Sequence, residues 1–226
     1  MKSSAQTQTV IADPAGGVQA HRHICILYHS EEEAYEVLGL LGSKAIHCGF
    51  CFVLVNDQFS PLELRSSFRK HGLSVDIYRS CSKILRTDEF YVAGDTISYE
   101  SCRSSIEKLY DTAIEGGFSG VYRFTDMSWI VNGLSEHIQQ MMLLENMLNS
   151  QLDTARMINF SLFNVHRFDA TTMLDVLSLY PSVYCKGVIS PNPFYLGVNG
   201  FVERYSDRHF GEIIQRNQLL SYISKE

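Results

Sequence analysis

Short apolar runs alternate with longer segments of helical periodicity along most of this chain. The runs are strand-like and lie at residues 23–28, 51–56, 84–86, 120–125, 157–163 and 183–189. The run at 51–56 is almost continuously apolar, which is typical of a parallel strand buried on both faces. The alternation predicts one α/β domain, with a mainly parallel sheet of about six strands and helices on both faces.

Helix start and stop signals support the segments between these runs. Ser30 and Glu33 have the spacing of a capping box, and Ser60 precedes a proline at the first helical position. Asp95 or Thr96 is the predicted cap of the third helix. The predicted helices are 30–46, 60–71, 95–115, 134–149 and 169–180. The fourth carries a methionine-rich apolar face, which indicates either core packing or an adaptable pocket wall.

The two ends of the chain differ from this pattern. Residues 1–20 are rich in Ser, Thr, Gln, Gly and Ala and predict a flexible arm. Residues 201–226 predict a helical extension, with the helix at about 206–224. That helix could pack on the domain, pair with a second copy or connect to a signalling partner. The core domain is therefore predicted at 21–200.

Composition and charge narrow the function classes. The chain has 226 residues, of which 45% are apolar, and this length is sufficient for one well-packed core. Its formal net charge is -6 and no basic cluster is present, which argues against direct nucleic-acid binding. No signal sequence or long apolar span is visible, so a cytoplasmic protein with six reduced cysteines and no membrane partner is expected.

Polar and aromatic residues follow the predicted strands. Parallel strands share one carboxyl edge, where small ligands commonly bind, so these side chains are expected to converge on a pocket. The predicted ligand-binding residues are Tyr28, Asp126, Trp129, Arg167, Asn192 and Tyr195. The aromatic residues would form walls, and the others would orient the ligand by hydrogen bonds. Taken singly, each residue also fits a helix cap or a loop contact.

Three stretches, taken in order, resemble the MEDS family of sensory domains. They are HICILY at 23–28, GVYRFTDMSW at 120–129 and NPFY at 192–195. The resemblance covers residues from about 23 to 195. It implies a RecA-like fold and a non-enzymatic role in signalling, including transcription regulation. The implied partners are a small, hydrocarbon-derived ligand and a signalling protein or a second copy of the chain.

Three positions depart from the family pattern. Asp126 stands where the family often has glutamate, Phe163 where it often has cysteine, and Tyr180 where histidine often precedes the proline. A shorter carboxylate keeps the charge but withdraws it by about one methylene. The absent cysteine argues against thiol chemistry in the fifth strand. The three differences favour a ligand other than the family's best-known one.

Nucleotide hydrolysis is disfavoured by the loop after the first strand. A phosphate-binding loop needs glycines, a lysine and a hydroxyl residue. Residues 28–33 read YHSEEE, with no glycine or lysine and with three carboxylates that would repel phosphate. A nucleotide-binding or protein-interaction module without hydrolysis remains as the alternative function. No catalytic residues are predicted, and the chain lacks the Gly-x-Ser-x-Gly pattern of a nucleophile elbow.

A mixed histidine and cysteine metal site is the weaker alternative. His23 and Cys25 alternate along the first strand, and Cys48 and Cys51 have a spacing familiar from zinc sites. The starts of the first two strands would have to be neighbours for the four to meet. Cysteine is also among the residues most often buried in cores. No cofactor is predicted, and a metal remains the lesser possibility.

Overall fold

The computed structural model describes residues 22–74, 80–93, 96–132, 135–151, 157–185 and 187–205. The strands in these ranges are β1 (His23–Tyr28), β2 (Cys51–Val55), β3 (Ser82–Leu85), β4 (Val92–Ala93), β5 (Thr96–Ile97), β6 (Val121–Asp126), β7 (Met157–Asn164), β8 (Ser182–Cys185) and β9 (Val188–Pro191). The helices are α1 (Glu31–His47), α2 (Pro61–Lys70), α3 (Thr87–Tyr91), α4 (Tyr99–Glu115), α5 (Ser135–Gln151), α6 (Ala170–Leu179) and α7 (Gly197–Tyr205). A 3-10 helix spans Ser128–Asn132.

Seven of the described strands form one sheet in the order β3-β2-β6-β7-β1-β8-β9. All neighbouring pairs are parallel except β8 and β9, which are antiparallel. A separate antiparallel ribbon joins β4 and β5. The predicted α/β class with a mainly parallel sheet is confirmed. The RecA-like description stays a prediction.

The last predicted strand, at 183–189, is wrong as a single strand. It is a hairpin, because the chain reverses at Gly187, whose φ of 88° is a conformation that glycine adopts at little cost. Ser182 of β8 pairs with Pro191 of β9, so β9 ends beside the start of β8. The residues after β9 therefore lie at the edge of the sheet opposite to the carboxyl ends of the parallel strands.

Helices cover both faces of the sheet, as predicted. Helices α1 and α2 pack on one face, whose centre is a group of aromatic rings that includes Phe52, Phe124 and Phe160. Helices α4, α5 and α6 pack on the other face. We call this second face the α5 face. Its strand positions are unusually polar, since Arg123, Asn159 and His23 lie side by side in register across β6, β7 and β1.

The predicted caps are confirmed at most helix starts. The Ser30 side chain accepts from the Glu33 N–H, and the Ser60 side chain accepts from the Leu62 N–H. Helix α4 is the exception. Its cap is Ser98, because Thr96 is paired in the β4–β5 ribbon and cannot begin the helix. The predicted arm at 1–20 and helix at 206–224 lie outside the described residues.

Candidate functional site

A buried carboxylate, Glu145 of α5, is the centre of a polar cluster on the α5 face. Only 1% of its side chain is exposed. Its Oε2 receives hydrogen bonds from the Tyr180 hydroxyl at 2.9 Å and the Ser161 hydroxyl at 3.2 Å, and His23 Nε2 lies 2.7 Å away. Three elements that are distant in sequence, β1, β7 and the end of α6, therefore converge on one oxygen atom.

His23 connects the carboxylate to a second residue of α5. Its Nδ1 lies 2.6 Å from Asn149 Oδ1, and Asn149 Nδ2 donates to the Leu179 carbonyl at 2.6 Å. The two ring nitrogens of His23 thus each face an oxygen atom of α5. The spacing of Glu145 and Asn149 places both on one helix face, so a single histidine joins α5 to the sheet.

The environment favours the charged form of Glu145. Burial by itself raises the pKa of this carboxyl, but the charge and hydrogen bond of His23, the charge of Arg123 and the Tyr180 hydroxyl together hold it below its usual value. Arg123 is also buried, with its guanidinium 5.2 Å from the centre of the Phe90 ring. The cluster thus keeps a carboxylate buried beside a buried guanidinium within the α5 face.

Glu145 also lines a small apolar pocket between the 3-10 helix, α5 and α6. The pocket has about 270 Å³ of empty volume, part of it open to solvent. Its other lining residues are Met127, Ile130, Ile138, Met141, Met142, Phe163, Phe168, Thr172, Val176, Leu179 and Tyr180. Glu145 Oε1 makes no hydrogen bond to any described residue. One residue of this mainly apolar pocket therefore carries a carboxylate oxygen that is buried and unpaired among the described residues.

Three of the predicted ligand-binding residues lie together at the carboxyl edge of the sheet. The Tyr28 hydroxyl donates to Asp126 Oδ1 at 3.2 Å and lies 3.1 Å from the Ser128 hydroxyl. Arg167 is close enough for its charge to lower the pKa of both. Burial, the largest influence, nevertheless raises the pKa of Asp126 and of Tyr28. Tyr28 belongs to the core of the α1 and α2 face, and none of the three residues lines the pocket.

Trp129 lies on the opposite side of the sheet from Tyr28. It packs against the α5 face and stacks on Tyr91, with 5.7 Å between ring centres. Its indole N–H makes no hydrogen bond within the described part of the chain. The 3-10 helix that carries Trp129 also carries Ile130, which lines the pocket, and Met127 directly precedes it. Trp129 therefore borders the pocket region without forming its wall.

Asn192 and Tyr195 do not belong to this edge, and the prediction of one shared rim is wrong for them. The reason is the antiparallel β9, which carries the chain to the other end of the sheet. There the Asn192 side-chain amide donates to the Leu177 and Tyr180 carbonyls at 2.6 and 2.8 Å. Its Oδ1 accepts from the Phe194 N–H. Asn192 thus fastens a loop to the end of α6.

The four candidate metal ligands are not brought together. Strands β6 and β7 lie between β1 and β2, which separates Cys48 and Cys51 from His23 and Cys25. Both nitrogens of His23 already face oxygen atoms, and Cys25 is completely buried. Within the described ranges, no group of three or more His, Cys, Asp or Glu side chains is arranged to hold a metal ion.

Residues 22–181 match the model of the MEDS family, described as the methanogen/methylotroph, DcmR sensory domain. The chain belongs to the MEDS family. The match spans the parallel strands β1, β2, β3, β6 and β7, the pocket and the Glu145 cluster, and MEDS is a family of sensory domains. Comparison with curated protein sequences gives no match.

A solved structure supports the architecture. An uncharacterised protein from Pyrococcus horikoshii, crystallised in complex with an unknown peptide, superimposes with a TM-score of 0.55. The two chains are 16% identical, and the alignment covers 74% of this chain and 78% of the other. At this identity the likeness concerns the fold alone. Separately, none of the helices in the described ranges has the length and hydropathy needed to cross a bilayer.

Two of the three positions expected to depart from the MEDS pattern lie in the pocket wall. Phe163 and Tyr180 both line it, and Tyr180 also donates to Glu145. Sequence reasoning did not select Glu145, because a single glutamate on a helix is usually exposed. The available signal was its position within the methionine-rich face, between Met142 and Met147. Met141, Met142 and Met147 are buried in the core of the α5 face, and the first two also line the pocket, so the methionine-rich face packs in the core and contributes to a pocket wall.

Proposed function

We propose that this MEDS domain is a non-enzymatic sensor that binds a small organic molecule in the pocket beside Glu145. The observation that carries the proposal is a pocket with mainly apolar walls that is also lined by Glu145, a carboxylate with one oxygen unpaired among the described residues. A buried hydrogen-bond acceptor without a donor raises the free energy of the protein. A ligand that supplies the donor therefore gains binding free energy. The pocket is narrow, and part of its space is open to solvent, which favours a molecule of few atoms.

The relay in this proposal is contact through α7. This helix packs on both α5 and α6, which form two walls of the pocket. Phe201 of α7 is fully buried in the same core, and Asn146 Nδ2 donates to the Val198 carbonyl. A ligand that moves α5 and α6 apart or closer together therefore changes the surface on which α7 packs. A partner protein, or a second copy, would read that change if the two states bind the ligand unequally.

Methionine methyl groups provide a direct test of the binding site. Met127, Met141 and Met142 line the pocket, whereas Met157 lies at the start of β7 and does not. Protein labelled with ¹³C at methionine methyls is titrated with short-chain alcohols, amines and haloalkanes. We expect shifts at the three pocket methionines and an unchanged Met157 signal.

Native mass spectrometry of freshly purified protein complements this titration. A mass in excess of the 25.7 kDa of the chain, if it is lost when the protein is denatured, would identify a co-purified ligand. Methyl shifts confined to other methionines would contradict the pocket assignment. If no small molecule shifts any methyl group, the alternative of a protein-interaction or nucleotide-binding module gains support, and partner searches replace ligand screening.

A further inference from the structure

We infer that the pocket selects ligands that carry an N–H or O–H hydrogen-bond donor on a short apolar body. This inference rests on the proposed function and names the chemical class of its ligand. It assigns Glu145 as the specificity-determining residue. Simple hydrocarbons and haloalkanes would then be the weaker ligands, and anions would be rejected.

The hydrogen bonds of Glu145 are divided unevenly between its two oxygens. Oε2 already accepts hydrogen bonds from the hydroxyls of Tyr180 and Ser161 and faces His23. A carboxylate oxygen has two lone-pair positions, so Oε2 has no capacity for a further strong donor. Oε1 makes no hydrogen bond to the described residues. In this inference Oε1 is the acceptor of Glu145 that a ligand uses, and only a donor can pair with it.

The same geometry decides against other ligand classes. A haloalkane fills the apolar walls but leaves Oε1 buried and unpaired, which forfeits the bond to a charged acceptor. A carboxylate ligand would place a second anion beside Glu145 in a poorly solvated space, where like charges repel strongly. Met127, Met141 and Met142 are adaptable and accept different apolar bodies. Discrimination is thus assigned to the contact with Glu145.

A matched ligand series tests this inference on the unmodified chain. Butan-1-ol, butylamine, 1-chlorobutane and butyrate share a similar apolar body and differ in the terminal group. Trp129, the only tryptophan, lies on the 3-10 helix beside the pocket and reports binding by fluorescence. We expect the alcohol and the amine to bind at least about tenfold more tightly than 1-chlorobutane, the usual size of a hydrogen bond to a charged group. Butyrate is expected not to bind.

Two variants test whether Glu145 is the residue that causes the preference for ligands with a donor. Glu145→Gln removes the anionic acceptor and should reduce the tenfold preference to about twofold or less. Ser161→Ala removes one donor from Oε2 and leaves Oε1 unchanged, so the preference should persist. Circular dichroism establishes that each variant is folded. If Glu145→Gln does not fold, the ligand series on the unmodified chain decides.

The outcomes separate the inference from the proposed function. Equal affinity for butan-1-ol and 1-chlorobutane, with shifts at the pocket methionines, would overturn the donor rule and leave the sensor proposal standing. Tight binding of butyrate would also overturn it. Absence of binding by all four compounds, together with unshifted methionine methyls, would remove both.

Discussion

Asp126 and Glu145 are both buried carboxylates, and their surroundings act on their charges in opposite directions. Each is only 1% exposed. Burial dominates at Asp126 and raises its pKa, although Ser128 and Tyr28 donate hydrogen bonds to it. At Glu145, His23, Arg123 and Tyr180 outweigh burial and lower the pKa. The first residue therefore costs folding free energy when ionised, and the second has its charge stabilised by the fold.

Replacing Asp126 by Asn is expected to stabilise the protein at neutral pH. A carboxyl with a raised folded-state pKa binds protons more tightly when folded, so its ionisation lowers stability as pH rises above the ordinary value of 3.8. Asparagine removes that cost, and its oxygen can still accept from Tyr28 and Ser128. We expect a gain of about 1 kcal/mol in unfolding free energy at pH 7, measured by urea denaturation.

The pH dependence supplies the control for this prediction. The difference between Asp126→Asn and the unmodified chain should shrink as pH falls through the folded pKa and vanish below 3.8, where the carboxyl is protonated in both states. Asp88→Asn is the comparison variant, since Asp88 is exposed and paired with Arg86. This variant should show no gain in unfolding free energy. A destabilised Asp126→Asn at pH 7 would show that its charge supports the fold.

At the scale of elements, the packing of α1 on α2 depends on two glycines. A Cβ at Gly42 would lie 2.5 Å from the Phe68 ring, and one at Gly39 would overlap Ser67. Helix propensity alone would favour alanine at both positions. The close approach of the two helices outweighs propensity here, because the neighbouring ring and backbone cannot move without loss of packing.

Gly42→Ala is therefore expected to lower the unfolding free energy by about 1–2 kcal/mol, despite its gain in helix propensity. Gly200→Ala in α7 is the matched control. Its added Cβ would meet only the Leu196 Cβ at 3.4 Å, an ordinary contact. That variant should be stabilised by about 0.5–1 kcal/mol. Similar effects of the two substitutions in thermal denaturation would contradict the packing argument.

At the scale of the whole molecule, the two faces of the sheet have different roles in the proposal. The α1 and α2 face covers an aromatic core, whereas the α5 face holds the polar cluster, the pocket and the helices on which α7 packs. We expect ligand binding to slow amide hydrogen exchange in α7 and α5. Exchange in α1 and α2 should stay constant. Protection confined to the 3-10 helix, with α7 unchanged, would argue against a relay through α7.

Local signals in the sequence determined the parts of the fold that depend on neighbouring residues. Apolar runs predicted the parallel strands of the sheet to within a few residues, because burial on both faces demands continuous hydrophobicity. Ser30, Ser60 and Asp169 marked helix starts, since their side chains satisfy N–H groups within the next three residues. The same local patterns, in order, carried the resemblance to MEDS.

Contacts between distant residues were decided only by the tertiary structure. The strand order places β7 and β6 between β1 and β2, which separates the cysteines from His23, and no local signal encodes that order. The hairpin at Gly187 moved Asn192 to the opposite edge. Glu145 meets His23 across 122 positions of sequence. Its pairing, its lowered pKa and its unpaired oxygen exist only where α5 packs on the sheet, because each depends on through-space distances between separate elements.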